Sequence, residues 1–563
     1  MRWTIKAKPP KAEIEKLSLE LGIHPIIAIL LLQRNISTFE GAKHFFRPQL
    51  DHLHDPFLMK DMDKAVDRIE KAIALEENIL IYGDYDVDGT TSVALVSSYL
   101  KTYYPNVATY IPDRYEEGYG VSYQGIDFAI DNNFSLIIAL DCGVKAIDKV
   151  AYAASKQVDF IICDHHRPGN QLPDAIAVLD PKRDDCQYPY KELCGCGVGF
   201  KLIQALSEKR GLGIDDLLLY LDLVATAIGA DIVPVTGENR VLAYYGLKVM
   251  NGNPRVGFKA ILKHIKKKTL TITDVVFIIA PRINAAGRMK HGNHAVTLLI
   301  ENDAEQAAIW ANEIEQYNTD RKEADKRITQ EALQQIKELN EEQRMTTVVY
   351  NETWHKGVIG IVASRLTETY YRPTLVFTKS GDQLAASARS VKGFDVYNAL
   401  EACASHIEQF GGHKYAAGLT LNENDYEAFK TQFEKVVSET INSKLLQPEL
   451  NVDLGIDLND ITPKFYRILK QFAPFGPGNM APVFMTNGLI DTGYGKRVGE
   501  DKTHLRVTLK QAASQPFVGI GFGLGDKEEL IGLEKPFKAA YVIDENEWQG
   551  NISLQLRLKD MKE

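Results

Sequence analysis

Residues 79–92 read Ile79-Leu80-Ile81-Tyr82-Gly83-Asp84-Tyr85-Asp86-Val87-Asp88-Gly89-Thr90-Thr91-Ser92. The apolar front of this stretch has the length of a buried strand. Asp84, Asp86 and Asp88 then recur at every second position. In extended chain, side chains two residues apart point to one side, so the spacing predicts three carboxylates converging at the strand's carboxyl end. Carboxylates that close repel one another unless cations sit among them. Gly89 permits a tight turn, and Thr90–Leu100 is predicted helical. Strand end, turn and helix is the place where open α/β sheets hold their ligands. A surface turn rich in Asp is the plainer reading. A calcium loop fails, because the position that needs Glu, the twelfth from Asp84, is Leu95.

The same rhythm continues outward. Strands are predicted at 79–83, 107–111, 135–140, 159–163 and 175–179, with helices between them. That alternation implies a parallel sheet covered on both faces. Acids recur where apolar runs end. Leu136–Leu140 leads to Asp141-Cys142-Gly143, Phe160–Cys163 to Asp164-His165-His166, and Val224–Ala230 to Asp231. All strand carboxyl ends of a parallel sheet lie along one edge, so these groups are expected to meet there. Carboxylates with imidazole and no thiolate suit Mn²⁺ or Mg²⁺ better than zinc. The set exceeds what one ion needs, which implies two ions and hydrolysis of a phosphate ester.

The rest of the chain is less explicit. Residues 1–50 read as helical and peripheral, and 303–340 as a long charged helix linking two lobes. Residues 281–289 read as a loop. Short alternating strands fill 483–560, the pattern of a small barrel, with Phe475, Phe484, Tyr494, Phe517 and Trp548 as core or base-stacking aromatics. At 563 residues with 45% hydrophobic and 25% charged content, the chain has the bulk of several globular domains. No apolar run nears the roughly 18 residues of a membrane span. The first residues lack a signal core, so no membrane partner and a cytoplasmic location are expected. Six scattered cysteines do not make a disulfide scaffold. A net charge of −10 argues against a protein that coats duplex DNA, yet allows a nucleic-acid enzyme with a local basic groove.

The runs Gly83–Gly89, Leu140–Gly143 and Asp164-His165-His166 stand in the order of the DHH phosphoesterase superfamily, which the chain resembles. Leu193-Cys194-Gly195-Cys196-Gly197-Val198-Gly199-Phe200-Lys201-Leu202 and Ala230–Arg240 resemble its RecJ family in particular, and the likeness covers about residues 40–563. It implies an α/β fold: a parallel-sheet DHH domain and a mixed α/β DHH-associated domain joined by a long helix, then a C-terminal β-barrel (OB-fold). The implied boundaries are a helical segment 1–50, a DHH domain 51–250, a connector 251–340, a DHH-associated domain 341–445 and an OB-fold-like domain 446–563.

By the same resemblance Asp84, Asp86 and Asp141 hold one Mn²⁺ or Mg²⁺, and Asp88, Asp141, His165 and Asp231 the second. His166, Asp164 and His413 are the further catalytic residues. Arg114, Arg282, Asn284, Arg288, Ser387, Arg389 and Gly412 bind substrate, with Ser387 and Arg389 on a 5′-terminal phosphate. The implied activity is metal-dependent 5′→3′ degradation of single-stranded DNA to mononucleotides in recombination and repair. A monomer is expected, with single-strand-binding protein and a helicase as partners. A phosphodiesterase for short oligonucleotides or cyclic dinucleotides is the alternative, disfavoured by the appended barrel. An inactive scaffold is disfavoured because all six ligands are present.

Overall fold

The five strands expected around Asp84 form one sheet in the computed structural model, which describes residues 1–532 and 535–563, the side chain of Trp548 excepted. They lie in the order Val107–Tyr110, Asn78–Gly83, Phe134–Leu140, Asp159–Cys163, Ala177–Leu179, every pair parallel. Alternate residues serve two cores. Leu80, Ile137 and Ile162 pack on one face, and Ile81, Ile138 and Ile161 on the other. Burial on both faces is why these strands read as unbroken apolar runs. Gly83 lies opposite Leu140, and Leu140 opposite Cys163. The residues that follow each strand therefore leave the sheet at one edge.

The aspartates do not reach that edge by extended alternation. The helix starts at Val87 and runs to Leu100, and Asp86 caps it by accepting the Gly89 N–H at 3.1 Å. A carboxylate at this position satisfies an orphan helix donor, which outweighs continued strand. Asp88 thus stands in the first helical turn. Residues 281–289 are a helix as well, Ala280–Met289, continuing from a π-helical turn at Val275–Ile279. Pro281 lies at its start, where a missing N–H costs little. Gly287 marks a close approach, since a Cβ there would lie 2.7 Å from the Tyr85 carbonyl oxygen.

The long helix is present as Ala304–Glu338. Its first half gives Ala307, Ala311 and Ile314 to the sheet's core, and its second half gives Ile328, Ala332 and Ile336 to the next lobe. That lobe is a mixed sheet ordered Gln409–His413, Ala416–Asn422, Gln383–Arg389, Thr374–Ser380, Thr347–Tyr350. At the C-terminus, Phe484–Asp491 pairs with Phe537–Trp548 on one side and His504–Gln511 on the other, closing a barrel. Phe484 is buried in it, Phe475 and Phe517 pack against its core, and Tyr494 is exposed. The Trp548 side chain lies outside the described residues.

Residues 1–50 are not peripheral. The helices Lys11–Leu21 and Pro25–Leu32 share one core with Phe465, Phe472 and Phe484 of the barrel. Arg2–Ile5 pairs in parallel with Glu449–Val452. A helix that is apolar all round, as Pro25–Leu32 is, belongs in a core; that its partner is the far end of the chain is a tertiary fact. Arg240 fastens the arrangement, donating to the carbonyl oxygens of Phe45, Phe472 and Ala473. Among the described residues no helix is long and apolar enough to cross a membrane.

Candidate metal centre

Four elements deliver one cluster. His165 Nε2 lies 3.1 Å from Asp141 Oδ1, 3.6 Å from Asp231 Oδ2 and 3.7 Å from Asp88 Oδ2. Asp141 and His165 follow strand ends, and Asp88 sits in a first helical turn. Asp231 caps the C-terminal end of the helix Leu221–Ala230 and does not follow a strand. Asp141 has a φ of 59°, in the left-handed region that non-glycine residues avoid. Its N–H still donates to the Cys163 carbonyl at 2.8 Å, so the sheet enforces the bend.

Asp88 is held from behind. Its two oxygens accept the N–H groups of Gly195 and Cys196, each at 2.7 Å. These are the first donors of the helix Gly195–Lys209, and a helix N-terminus favours negative charge. The glycine is required there, because a Cβ at position 195 would lie 2.5 Å from Asp141 Cβ. Asp84 is fully buried, with Oδ1 accepting the Gly120 N–H at 3.4 Å. Tyr82 fixes that turn by donating to the Gly120 carbonyl at 2.9 Å and accepting the Ser122 N–H at 3.2 Å.

Asp84 Oδ2, Asp141 Oδ1 and both ring nitrogens of His165 are buried with no hydrogen-bond partner. Buried polar atoms are otherwise nearly always satisfied. Converging lone pairs of carboxylate and imidazole fit Mn²⁺ or Mg²⁺. Two groups lie within ligand reach, Asp88–His165–Asp231 and Asp141–His165–His166. The geometry thus gathers the ligands assigned to the second ion, while Asp84 and Asp86 belong to neither group.

The electrostatics favour a bound cation. Burial, then the Asp86 charge, pushes Asp84 up to about 8, and the same two causes push Asp231 up to about 7. Burial and neighbouring carboxylates push Asp88 and Asp141 well above the usual range. Burial, then the His166 charge, depresses His165 to about 3, leaving it neutral as a ligand must be. Metal binding therefore displaces protons, and affinity should rise between pH 6 and pH 8, about tenfold per pH unit for each proton displaced. Carboxyl pKa values raised in the folded state stabilise it fully only below the unfolded value of about 4. That stability fades as pH climbs through about 7 to 8. Thermal unfolding with chelator and with Mn²⁺ should accordingly diverge as pH rises from 5.5 to 8; a gap that stays constant would count against this centre.

Asp164 does not face the cluster. It accepts N–H groups from Val144 at 2.9 Å, His165 at 2.8 Å and His166 at 3.1 Å, and lies 2.7 Å from His166 Nδ1. Burial works against its charge, but the His166 contact outweighs it and holds Asp164 at about 2. Burial also opposes the His166 charge, yet Asp164 lifts that ring to about 9. His166 is thus a cation at neutral pH, with Nε2 3.2 Å from the Tyr119 hydroxyl. Asp164 is a positioning residue for it.

Beside the cluster stands an arginine group. Arg114 lies over the Tyr85 ring at 4.5 Å. Arg288 donates to the Gly357 carbonyl at 3.0 Å, and the Tyr115 hydroxyl donates to the Arg288 carbonyl. Arg389 donates to Ser387 Oγ at 3.0 Å. Gly360, at the start of the helix Ile359–Tyr370, comes so close that a Cβ would lie 3.0 Å from Ser387 Oγ. Burial, then Arg114, Arg389 and Arg321, lowers Arg288 to about 9. Half-buried cations gathered around a helix start make an anion site.

Arg282 departs from its expected substrate role. It pairs with Glu315 at 2.6 and 3.2 Å and donates to the Ile278 carbonyl, so its fork is spent fastening the long helix. Asn284 is half-buried one turn before Arg288 on the same helix. His413 is exposed at the sheet's edge, in register with Ala416 and through it with Arg389. Gly412, at φ 145°, packs against Ala417. Sequence reasoning missed Tyr119 and the Gly195–Cys196 donors, though an aromatic between two glycines and a Cys-Gly-Cys-Gly run were both visible.

Fold and centre together define a DHH-family phosphoesterase. The description "DHH family, N-terminal domain" matches residues 78–228, "DHHA1 domain" 343–439 and "RecJ OB domain" 452–560. The single-stranded-DNA-specific exonuclease RecJ of Bacillus subtilis is 36% identical over 565 residues, covering 100% of this chain and 70% of that protein. That of Escherichia coli is 33% identical, covering 88% of this chain and 89% of its own. The crystal structure of RecJ in complex with Mn²⁺ from Thermus thermophilus superposes with a TM-score of 0.86 at 26% identity, covering 100% of this chain and 79% of that one. The chain belongs to the RecJ family.

Proposed function

We propose that this protein is a metal-dependent exonuclease that removes mononucleotides from the 5′ end of single-stranded DNA. The observation that carries the reading is the adjacency of two sites. Tyr85, between Asp84 and Asp86, is covered by the helix that bears Arg288, with Gly287 and Gly292 against its backbone. A strand end anchored by its phosphate among Arg288, Arg389 and Ser387 therefore presents its next phosphodiester to the carboxylates. That arrangement supports cutting at a strand end.

Bound divalent cations would neutralise phosphate charge and supply a water nucleophile at neutral pH. The protein's residues do the rest. Asp88, Asp141, His165 and Asp231 hold the centre, with Asp84 and Asp86 beside it. His166, kept cationic by Asp164, stabilises charge on the scissile phosphate from a fixed position. Arg114, stacked on Tyr85, offers a planar fork to phosphate oxygens. The reading extends to a cytoplasmic monomer working with single-strand-binding protein and a helicase. The relatives named for single-stranded-DNA-specific exonuclease activity support the substrate class.

Single strands labelled at the 5′ or the 3′ end, and a blunt duplex, test it with Mn²⁺ or chelator present. The 5′ label should leave first as mononucleotide, the duplex should resist, and chelator should stop the reaction. Cleavage confined to oligomers of two to five nucleotides would sink this reading.

A further inference from the structure

The metal centre opens to solvent at Asp231. Of the four residues gathered there, Asp88, Asp141 and His165 keep 1, 3 and 7% of their side-chain surface, whereas Asp231 keeps 30%. The next residue, Ile232, is 62% exposed. Its backbone is as unusual as its exposure. The helix Leu221–Ala230 ends with the Asp231 N–H donating to the Ala227 carbonyl at 2.9 Å, and Ile232 then takes a φ of 59°. Just past a helix cap, that conformation is ordinarily given to glycine or asparagine. Among the described non-glycine residues with positive φ, Ile232 alone is β-branched.

A branched Cβ crowds a left-handed backbone. Packing does not offset that cost, because the side chain lies in solvent, whereas Val233 and Val235 just beyond it are buried. Strain of this kind persists where function uses it, and here it holds an aliphatic side chain at the open side of the centre. What covers that side chain follows from its reach. A phosphodiester held at Asp231 is bonded on either side to a sugar, so a side chain one residue from the ligand meets sugar before base. Aliphatic carbon suits the C2′ methylene of deoxyribose. Ribose would press its 2′-hydroxyl against that carbon without a hydrogen-bond partner. We propose that Ile232 is a specificity-determining residue, which packs on the deoxyribose beside the scissile phosphate and disfavours ribonucleotides there. This rests on the exonuclease reading given above.

The test compares kcat/KM, in the full chain with Mn²⁺, on an all-deoxy single strand and on one with ribonucleotides at its first two positions, on both sides of the first scissile bond. The wild type should favour the all-deoxy strand by about 10- to 100-fold, the range in which an apolar contact rejects an added hydroxyl. Ile232→Gly should reduce that preference about tenfold. Ile232→Thr, which keeps the branch but offers a hydroxyl, should reduce it as well, through faster turnover of the ribose-bearing strand. With chelator present, Ile232→Gly should melt above Ile232→Thr, since only glycine relieves the backbone. Were glycine the less stable of the two, packing would be holding Ile232 and the inference would fall. A preference unchanged in both variants, whether or not the rates drop, overturns the assignment. So does a wild type indifferent to ribose, which leaves the exonuclease reading standing. A wild type that frees no mononucleotide from either strand overturns that reading and this inference together.

Discussion

Asp141→Asn should abolish DNA hydrolysis, by at least about 10³-fold, while leaving the metal-free protein as stable as the wild type or more so. The two halves of this expectation come from one residue. Asp141 faces His165 at 3.1 Å, and its Oδ1 is buried with no hydrogen-bond partner. Removing its charge leaves an amide that binds divalent cations poorly. Yet Asp141 is a burden without metal. Its carboxylate is buried among Asp88, Asp86 and Asp231, and its backbone is left-handed. Asn relieves both, since it adopts that conformation more readily than most residues and carries no charge. Thermal unfolding with chelator and with Mn²⁺, beside turnover of a labelled single strand, checks it. The variant should lose the Mn²⁺-dependent gain in Tm. Turnover within about tenfold of wild type would remove Asp141 from the centre.

The parallel sheet was legible because burial on both faces writes itself as short apolar runs, and because each run ended in a recognisable acid. Three of the six expected ligands, Asp84, Asp141 and His165, follow that logic directly. The aspartate triplet was found by a period that the chain does not use: Asp86 is a helix cap and Asp88 a helical residue. The period-two spacing was real, but capping bent the chain before it could act as a strand. The loop expected at 281–289 is helix, because Pro281 and Gly287 are steric fittings within it, at a start and at a backbone contact. The burial of residues 1–50 and the engagement of Arg282 by Glu315 depend on which segments meet, which no local pattern records.

Gly195→Ala should weaken divalent-metal affinity about 10–100-fold, the usual cost of disturbing a residue that supports a ligand. In an ordinary helix this exchange would stabilise by up to about 1 kcal/mol. Here the added Cβ would sit 2.5 Å from Asp141 Cβ and 2.7 Å from its Oδ1. Asp141 cannot retreat, because Leu140 and Cys163 are fixed in the sheet on either side. The helix Gly195–Lys209 must therefore move, and it takes with it the two N–H groups that hold Asp88. One methyl group thus disturbs ligands on both sides of His165 without touching the imidazole. Gly197→Ala is the control, since its Cβ would meet Leu193 side-chain atoms at 3.3 and 3.4 Å, which can yield, and Cys194 Sγ at an ordinary 3.6 Å. Calorimetric titration with Mn²⁺ separates the two variants. Equal affinities would mean that the helix start and the carboxylates are independent, and that the Cys-Gly-Cys-Gly run serves packing alone.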